Sequence, residues 1–213
     1  RDAECTVCST PISERSRTSV ESGLRGEQNC TVHKGHARFV APHEVQVGAT
    51  RLSAPKVFIN VGARARIPEI PGLDQAPYLT NSTMMGMDFL PGHLLILGGS
   101  YIGLEFGQMY RRFGSEVSII ENGPRLIARE DDETSAVIQR VLEAEGVRVH
   151  LNASGLSVKK SGEGIEVAMN SAAGEQKITA SHLLVATGRR PNTDDLGLEN
   201  SGVLTDRNGY IQV

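Results

Sequence analysis

The 213-residue chain has no tryptophan, only three cysteines and no excess of either charge, and each of these shortages excludes something. Cys5, Cys8 and Cys30 are too few for a disulfide framework. Cys5-x-x-Cys8 with His33-x-x-His36 has the outline of a zinc site, but 24 residues separate Cys8 from His33 where a finger has about 12. No metal site is therefore expected. A formal charge of −3 with interspersed signs excludes a basic surface for nucleic acid or anionic membrane. No apolar run approaches the roughly 20 residues of a membrane span, and the N-terminus lacks the pattern of a signal peptide. A soluble chain in the reducing cytoplasm is the expected setting. Tyr78, Tyr101, Tyr110 and Tyr210 all lack a lysine four residues on, which argues against a short-chain-type dehydrogenase.

What is present is a core of ordinary size, 39% apolar, organised around one stretch. Leu94-Leu95-Ile96-Leu97 reads as a buried strand, and Gly98-Gly99-Ser100-Tyr101-Ile102-Gly103 as a glycine-rich turn opening a helix. Val117-Ser118-Ile119-Ile120 is a second strand ending in Glu121, eighteen residues after Gly103. Strand, turn, helix, strand and terminal carboxylate follow in the order of a dinucleotide-binding βαβ unit. Gly98 suits the tight turn, and Gly103 lets the helix approach the sheet. Ser100 stands where backbone approaches the pyrophosphate; its hydroxyl suits a helix N-cap and a bond to phosphate. Glu121 suits the ribose hydroxyls of NADH and repels the 2′-phosphate of NADPH, while Arg125 nearby works against that preference.

Ile102, Phe106, Met109 and Phe113 form the expected buried stripe of the helix, which Gly114 ends. Around it, residues 1–29 are polar and without period, which predicts an irregular lead-in. Residues 37–54 alternate as an antiparallel meander, and residues 57–62 read as a buried strand. The proline-rich connector 67–72 marks a domain boundary. A short helix over 81–89, a helix from Asp131 with Val137, Val141 and Leu142 buried, and a strand over 147–151 come next. Strands near 156–159, 165–169 and 177–180, with turns at 161–164 and 172–174, lead to a last buried strand at 182–187.

The stretch from Leu52 to Arg64 echoes that from Ile178 to Arg190: strand, turn, buried strand, then Gly-x-Arg at Gly62 and Gly188. Gly98 precedes Gly188 by 90 residues, and the same distance back from Gly62 falls before residue 1. Two related nucleotide-binding units are expected, the first lacking its glycine turn, as in an N-terminally cut piece.

Together the motif Gly98 to Glu105, Glu121, Val61-Gly62 and Ala186-Thr187-Gly188-Arg189-Arg190-Pro191-Asn192-Thr193 resemble the FAD-dependent pyridine nucleotide-disulfide oxidoreductases. The branch of dihydrolipoamide dehydrogenase and mercuric reductase is most similar. The resemblance covers residues 31–213. It implies an α/β fold, a Rossmann-like parallel sheet with an antiparallel meander, plus part of a second, FAD-domain-like unit. Residues 1–30 would be the lead-in, 31–72 and 188–213 remnants of the FAD domain, and 73–187 the NAD(P)H domain. Cofactor contacts would fall to Gly98, Gly99, Ser100, Tyr101, Ile102, Gly103, Glu121 and Gly188. Tyr101 would shield the flavin and Glu105 would sit at the flavin–nicotinamide contact, the two residues nearest the chemistry. The family's Cys-x4-Cys pair, its FAD-binding glycine turn and its C-terminal dimerisation domain are absent from the sequence. The resemblance thus implies NADH and, in the complete parent, FAD and a homodimer. Hydride would pass from NADH to FAD and on to a disulfide. The alternative reading is a regulatory module that senses NAD without catalysis.

Overall fold

A computed structural model describes residues 3–171 and 174–213, with the side chains of residues 3–12 outside the description. Cys5 and Cys8 belong to that stretch, and the turn expected at 172–174 lies largely outside the described residues. The chain divides into two compact units, residues 1–64 with 189–213, and residues 65–188.

In the second unit a four-stranded parallel sheet forms from β5 (His93–Leu97), β6 (Glu116–Ile120), β7 (Arg148–His150) and β11 (His182–Val185), in the order β11-β5-β6-β7. Its centre is the apolar run expected from sequence: Leu94, Leu95 and Ile96 are fully buried, as are Ile119, Leu183 and Leu184. Buried parallel strands need apolar side chains on both faces because both are covered. One face packs on an antiparallel meander of β8 (Ser154–Ser161), β9 (Gly164–Ser171) and β10 (Gly174–Ala180), through Leu95, Leu97, Ile120, Leu183 and Val185. The other packs on α3 (Tyr101–Phe113) and α4 (Asp132–Ala144), through Leu94, Ile96, Val117 and Ile119.

Helix α3 is buried along a stripe shifted from the expected one, of which Ile102 and Phe106 pack, partly buried, against the core. Gly103, Gly107 and Tyr110, with Leu104, face the sheet, whereas Met109 is 37% and Phe113 63% exposed. The buried set is offset by one residue, about 100° around the helix. Gly103 decides this, because a Cβ there would lie 2.2 Å from Gly98 O, and Gly107 adds to it with Ile96 Cδ1 and Ile119 Cδ1 at 3.2 and 3.3 Å from where its Cβ would be. Gly114, at φ 111°, ends the helix as expected. A similar offset occurs in α4, where Ser135, Leu142 and partly Ile138 are buried while Val137 and Val141 are exposed. A serine hides this face from a hydropathy reading; its hydroxyl donates to the carbonyl of Leu126 at 2.7 Å. Asp131 caps α4 by accepting from Thr134 N–H at 2.7 Å. The helix expected over 81–89 is the single turn α2 (Asn81–Met84), closed by a Thr80–Thr83 capping box.

The first unit holds the expected meander, β1 (Ala37–Ala41), β2 (Glu44–Val47) and β3 (Thr50–Ser53), with Phe39 opposite Val45 and Val45 opposite Leu52. It also holds β12 (Arg189–Pro191), joined in a two-stranded sheet to β4 (Ala63–Ala65), whose last residue is the first of the second unit. Two expectations are corrected here. Residues 57–62 form no strand, and Phe58 is 89% exposed. A continuous apolar run becomes a buried strand only when neighbours pair with both its edges, and no described strand pairs with this one. Residues 1–29 are not irregular: α1 (Ala3–Gly26) covers most of them. Its described side chains are almost all exposed, so no apolar stripe announces the helix; Arg25 instead pairs with Glu21 one turn back at 2.9 Å. No described helix is long and apolar enough to cross a membrane.

Candidate dinucleotide site

All four strands of the parallel sheet end on one edge, and the residues singled out in the second unit follow those ends. Gly98 follows β5, Glu121 follows β6 and Gly188 lies beyond β11. This carboxyl edge is where open α/β sheets leave room for ligands.

The turn is built so tightly that a side chain at Gly98 or Gly103 would be driven into backbone, and one at Gly99 into neighbouring side chains. Gly98 has φ 109°, donates to Ile120 O at 2.8 Å, and would bring a Cβ to 2.4 Å from Ala186 O. At Gly103 a Cβ would meet Gly98 O at 2.2 Å, so the first turn of α3 rests on the glycine turn itself. At Gly99 it would meet Leu126 Cδ2 at 2.6 Å and Glu121 Oε2 at 3.1 Å. Ser100 occupies the N-cap position of α3 with extended backbone, but its side chain makes no capping hydrogen bond. The N–H groups of Tyr101, Ile102 and Gly103, in the first turn, have no partner within the helix. The outward N–H groups at the positive end of the helix dipole make a cradle of the kind that suits an anion, with the exposed Ser100 beside it.

Glu121 faces this cradle. Its Oε2 accepts from Gly99 N–H at 2.6 Å and its Oε1 from Gly123 N–H at 2.8 Å. These donors fix the carboxylate beside the turn, and each oxygen keeps a further lone pair. Arg125, two residues beyond Gly123, is turned away from it. Its Nη1 pairs with Asp132, and its Nη2 donates to Ala128 O at 3.1 Å and Glu130 O at 3.3 Å. The same loop closes over the turn: Ile127, at φ 39°, donates its N–H to Gly99 O at 2.8 Å, and Leu126 is fully buried. The clamp by Leu126, Ile127 and Arg125 was not foreseen, since nothing in the loop's residue types distinguishes it from an ordinary turn.

Tyr101 and Glu105 are exposed and come together on a separate feature. With Leu104, Gln108, Ile127 and Ile138 they line a cavity of about 560 Å³ between α3 and α4. Gly188, at φ 120°, has nothing within 4 Å of where a Cβ would be, so its conformation alone calls for glycine. Its carbonyl accepts from Arg66 N–H at 3.0 Å. The structure thus groups Gly98, Gly99, Ser100, Ile102, Gly103 and Glu121 around one cradle, and Tyr101 and Glu105 around the adjoining cavity. In the first unit Arg189 and Arg190 are both engaged, Arg189 with Ala63 O at 2.8 Å and Arg190 with Asp194 at 3.1 Å. No cluster able to hold a metal occurs among the described residues.

Residues 7–213 match the family model described as pyridine nucleotide-disulphide oxidoreductase. A mercuric reductase of Streptomyces lividans is 43% identical over 202 residues, covering 92% of this chain and 42% of its own length. A dihydrolipoyl dehydrogenase of Thermus scotoductus is 35% identical over 196 residues, covering 90% and 42%. The solved structure of the HOCl-induced flavoprotein disulfide reductase RclA from Escherichia coli superposes with a TM-score of 0.89 at 31% identity, covering 99% of this chain and 48% of that one. The chain therefore spans less than half the length of these relatives.

Proposed function

The chain belongs to the pyridine nucleotide-disulphide oxidoreductase family, and from that premise we propose that residues 73–187 are its dinucleotide-binding domain, selective for NADH. The observation that carries the reading is the carboxylate of Glu121, held beside the glycine turn by two backbone N–H groups. Its two remaining lone pairs suit the two hydroxyls of an adenosine ribose, and its charge opposes a 2′-phosphate. The turn and the first N–H groups of α3 fit a pyrophosphate, because the glycines let backbone approach where side chains would stand.

Bound nicotinamide and flavin would supply hydride transfer from NADH to FAD, with two electrons passed on to a disulfide. This chain's part in that reaction is to bind and orient. The glycine turn and the α3 N–H groups hold the pyrophosphate, and Glu121 sets the ribose. Tyr101, 54% exposed at the mouth of the α3–α4 cavity, is placed to cover or uncover a ring system, with Glu105 one turn further along the helix. Residues 31–72 and 188–213 are assigned to an FAD domain, but the described residues hold no second glycine turn on a parallel sheet. FAD therefore does not fit a complete site here, and the family's dimer is likewise assigned to the longer protein. The other reading is an NAD-sensing module without catalysis, against which the placement of Tyr101 at the cavity argues; a parent gene encoding a Cys-x4-Cys pair decides for the reductase.

The absence of tryptophan leaves nicotinamide fluorescence as a clean binding signal. NADH should bind the chain and NADPH more weakly, and Glu121→Ala should weaken NADH by roughly a hundredfold or more, the loss of two hydrogen bonds to a charged group. Equal binding of both nucleotides, or an unaffected Glu121→Ala, refutes the assignment.

A further inference from the structure

A preference for NADH requires more than a carboxylate, because a single arginine beside the ribose can accommodate a 2′-phosphate. Arg125 is that arginine by position. A Cβ at Gly123 would lie 3.2 Å from Glu121 Oε1 and 3.7 Å from Arg125 O, so the carboxylate is within reach of an arginine side chain rooted at 125. The guanidinium is nonetheless committed elsewhere. Asp132, at the start of α4, holds Nη1, and the carbonyls of Ala128 and Glu130 take Nη2. Nε is buried without a partner, so the fork is fixed in the loop even at the expense of one unmet donor.

We infer that Asp132 is a specificity-determining residue: by holding Arg125 it withholds the nearest cation from a 2′-phosphate and leaves Glu121 to act alone. This rests on the NADH reading above. Asp132 is 85% exposed and Arg125 36% exposed in their side chains, and Asp132 is the guanidinium's one charged partner among the described residues; without it only the carbonyls of Ala128 and Glu130, at 3.1 and 3.3 Å, hold Nη2. Once released, Arg125 is a planar two-pronged donor of the type that phosphate attracts best.

The test is titration of the chain with NADH and with NADPH, read by nicotinamide fluorescence, for the unaltered protein and three variants checked by circular dichroism. Asp132→Ala should raise the NADPH-to-NADH affinity ratio roughly tenfold, the worth of one charge-assisted hydrogen bond. The double variant Asp132→Ala with Arg125→Gln should return the ratio to its starting value. A gain that persists in the double variant comes from another cation, such as the exposed Arg129, and overturns the inference. So does an unchanged ratio in Asp132→Ala. Arg125→Gln alone should leave the ratio unchanged, and it serves even where Asp132→Ala fails to fold. If it instead weakens NADPH selectively, Arg125 already reaches the phosphate and is not withheld. Failure of the unaltered chain to bind NADH refutes the dinucleotide reading itself, a result distinct from all of these.

Discussion

Replacing Gly103 and Gly107 by alanine, one at a time, sets two opposing effects against each other on the same helix. In a helix interior alanine is favoured over glycine by about 1 kcal/mol. Were propensity decisive, both substitutions would stabilise the protein. At Gly107 the new methyl group meets Ile96 Cδ1 at 3.2 Å and Ile119 Cδ1 at 3.3 Å, which are the far ends of flexible side chains. A shift of a few tenths of an ångström accommodates it, and Gly107→Ala should fall within about 1 kcal/mol of the unaltered protein. At Gly103 the methyl group meets the carbonyl oxygen of Gly98 at 2.2 Å and Ile96 Cγ2 at 3.2 Å. That oxygen cannot rotate away, because Gly98 is itself wedged against Ala186 O and tied to Ile120 O. Helix and turn must separate, at an overpacking cost of about 1–3 kcal/mol or more, which exceeds the propensity gain. Urea unfolding followed by circular dichroism reads the difference, and NADH titration should show a second loss in Gly103→Ala alone, since the cradle opens. Gly103→Ala as stable as the unaltered chain, or Gly107→Ala the more damaging, refutes the packing argument.

The remaining predictions concern the serine of the turn and the histidines of the sheet. Ser100→Gly should bind NADH as well or better, because the hydroxyl caps nothing; a large loss in the same titration would make that hydroxyl a true phosphate ligand. Stability should fall as the medium is acidified below about pH 6.5, the ordinary histidine value. Burial, reinforced by Arg148, holds the pKa of His93 and of His150 below that value, and burial does the same for His182. Each binds fewer protons folded than unfolded in the interval below 6.5, so its contribution is complete above that pH and lost as pH falls through the interval. Urea midpoints across this range should decline toward acid, and His93→Gln should flatten the decline; a flat profile for the unaltered chain refutes it.

How much of this was legible in the sequence depended on what each residue's surroundings had to supply. The run Leu94 to Leu97, the glycine turn and Glu121 were readable because their reasons are local: an apolar strand, a turn that forbids side chains, a carboxylate at a strand end. The buried faces of α3 and α4 were displaced because hydropathy counts apolar side chains, whereas closeness of packing selected glycine in one and a hydrogen-bonded serine in the other. Residues 57–62 have the composition of a buried strand and lack its partners, and partners are not a property of the segment. Helix α1 is rich in serine and threonine, which are indifferent helix formers, and has no apolar stripe, so neither propensity nor periodicity points to it. The hold of Asp132 on Arg125 was invisible for a different reason, since a charge two turns along the chain looks the same whether its partner is ligand, solvent or loop.

The two edges of the parallel sheet carry nearly the same kinds of residue, and comparing them separates a site from scaffold. At the amino edge His93 donates through Nδ1 to Thr179 O at 3.0 Å and accepts at Nε2 from Ser118 Oγ at 3.0 Å. Arg148 donates to that hydroxyl at 3.2 Å and to Glu116 at 2.8 Å. A serine, a histidine, a carboxylate and an arginine are thus assembled, yet each is occupied by another side chain or a carbonyl, and Ser118 is only 1% exposed. Such a group braces the sheet and has nothing left for a ligand. At the carboxyl edge the carboxylate of Glu121 is held by main-chain N–H groups, which position it without neutralising it, and the arginine that would neutralise it is drawn off by Asp132. The strand ends there leave an unopposed negative charge beside an unopposed set of N–H donors. A dinucleotide offers the complement of that pairing, ribose hydroxyls for the carboxylate and a pyrophosphate for the donors.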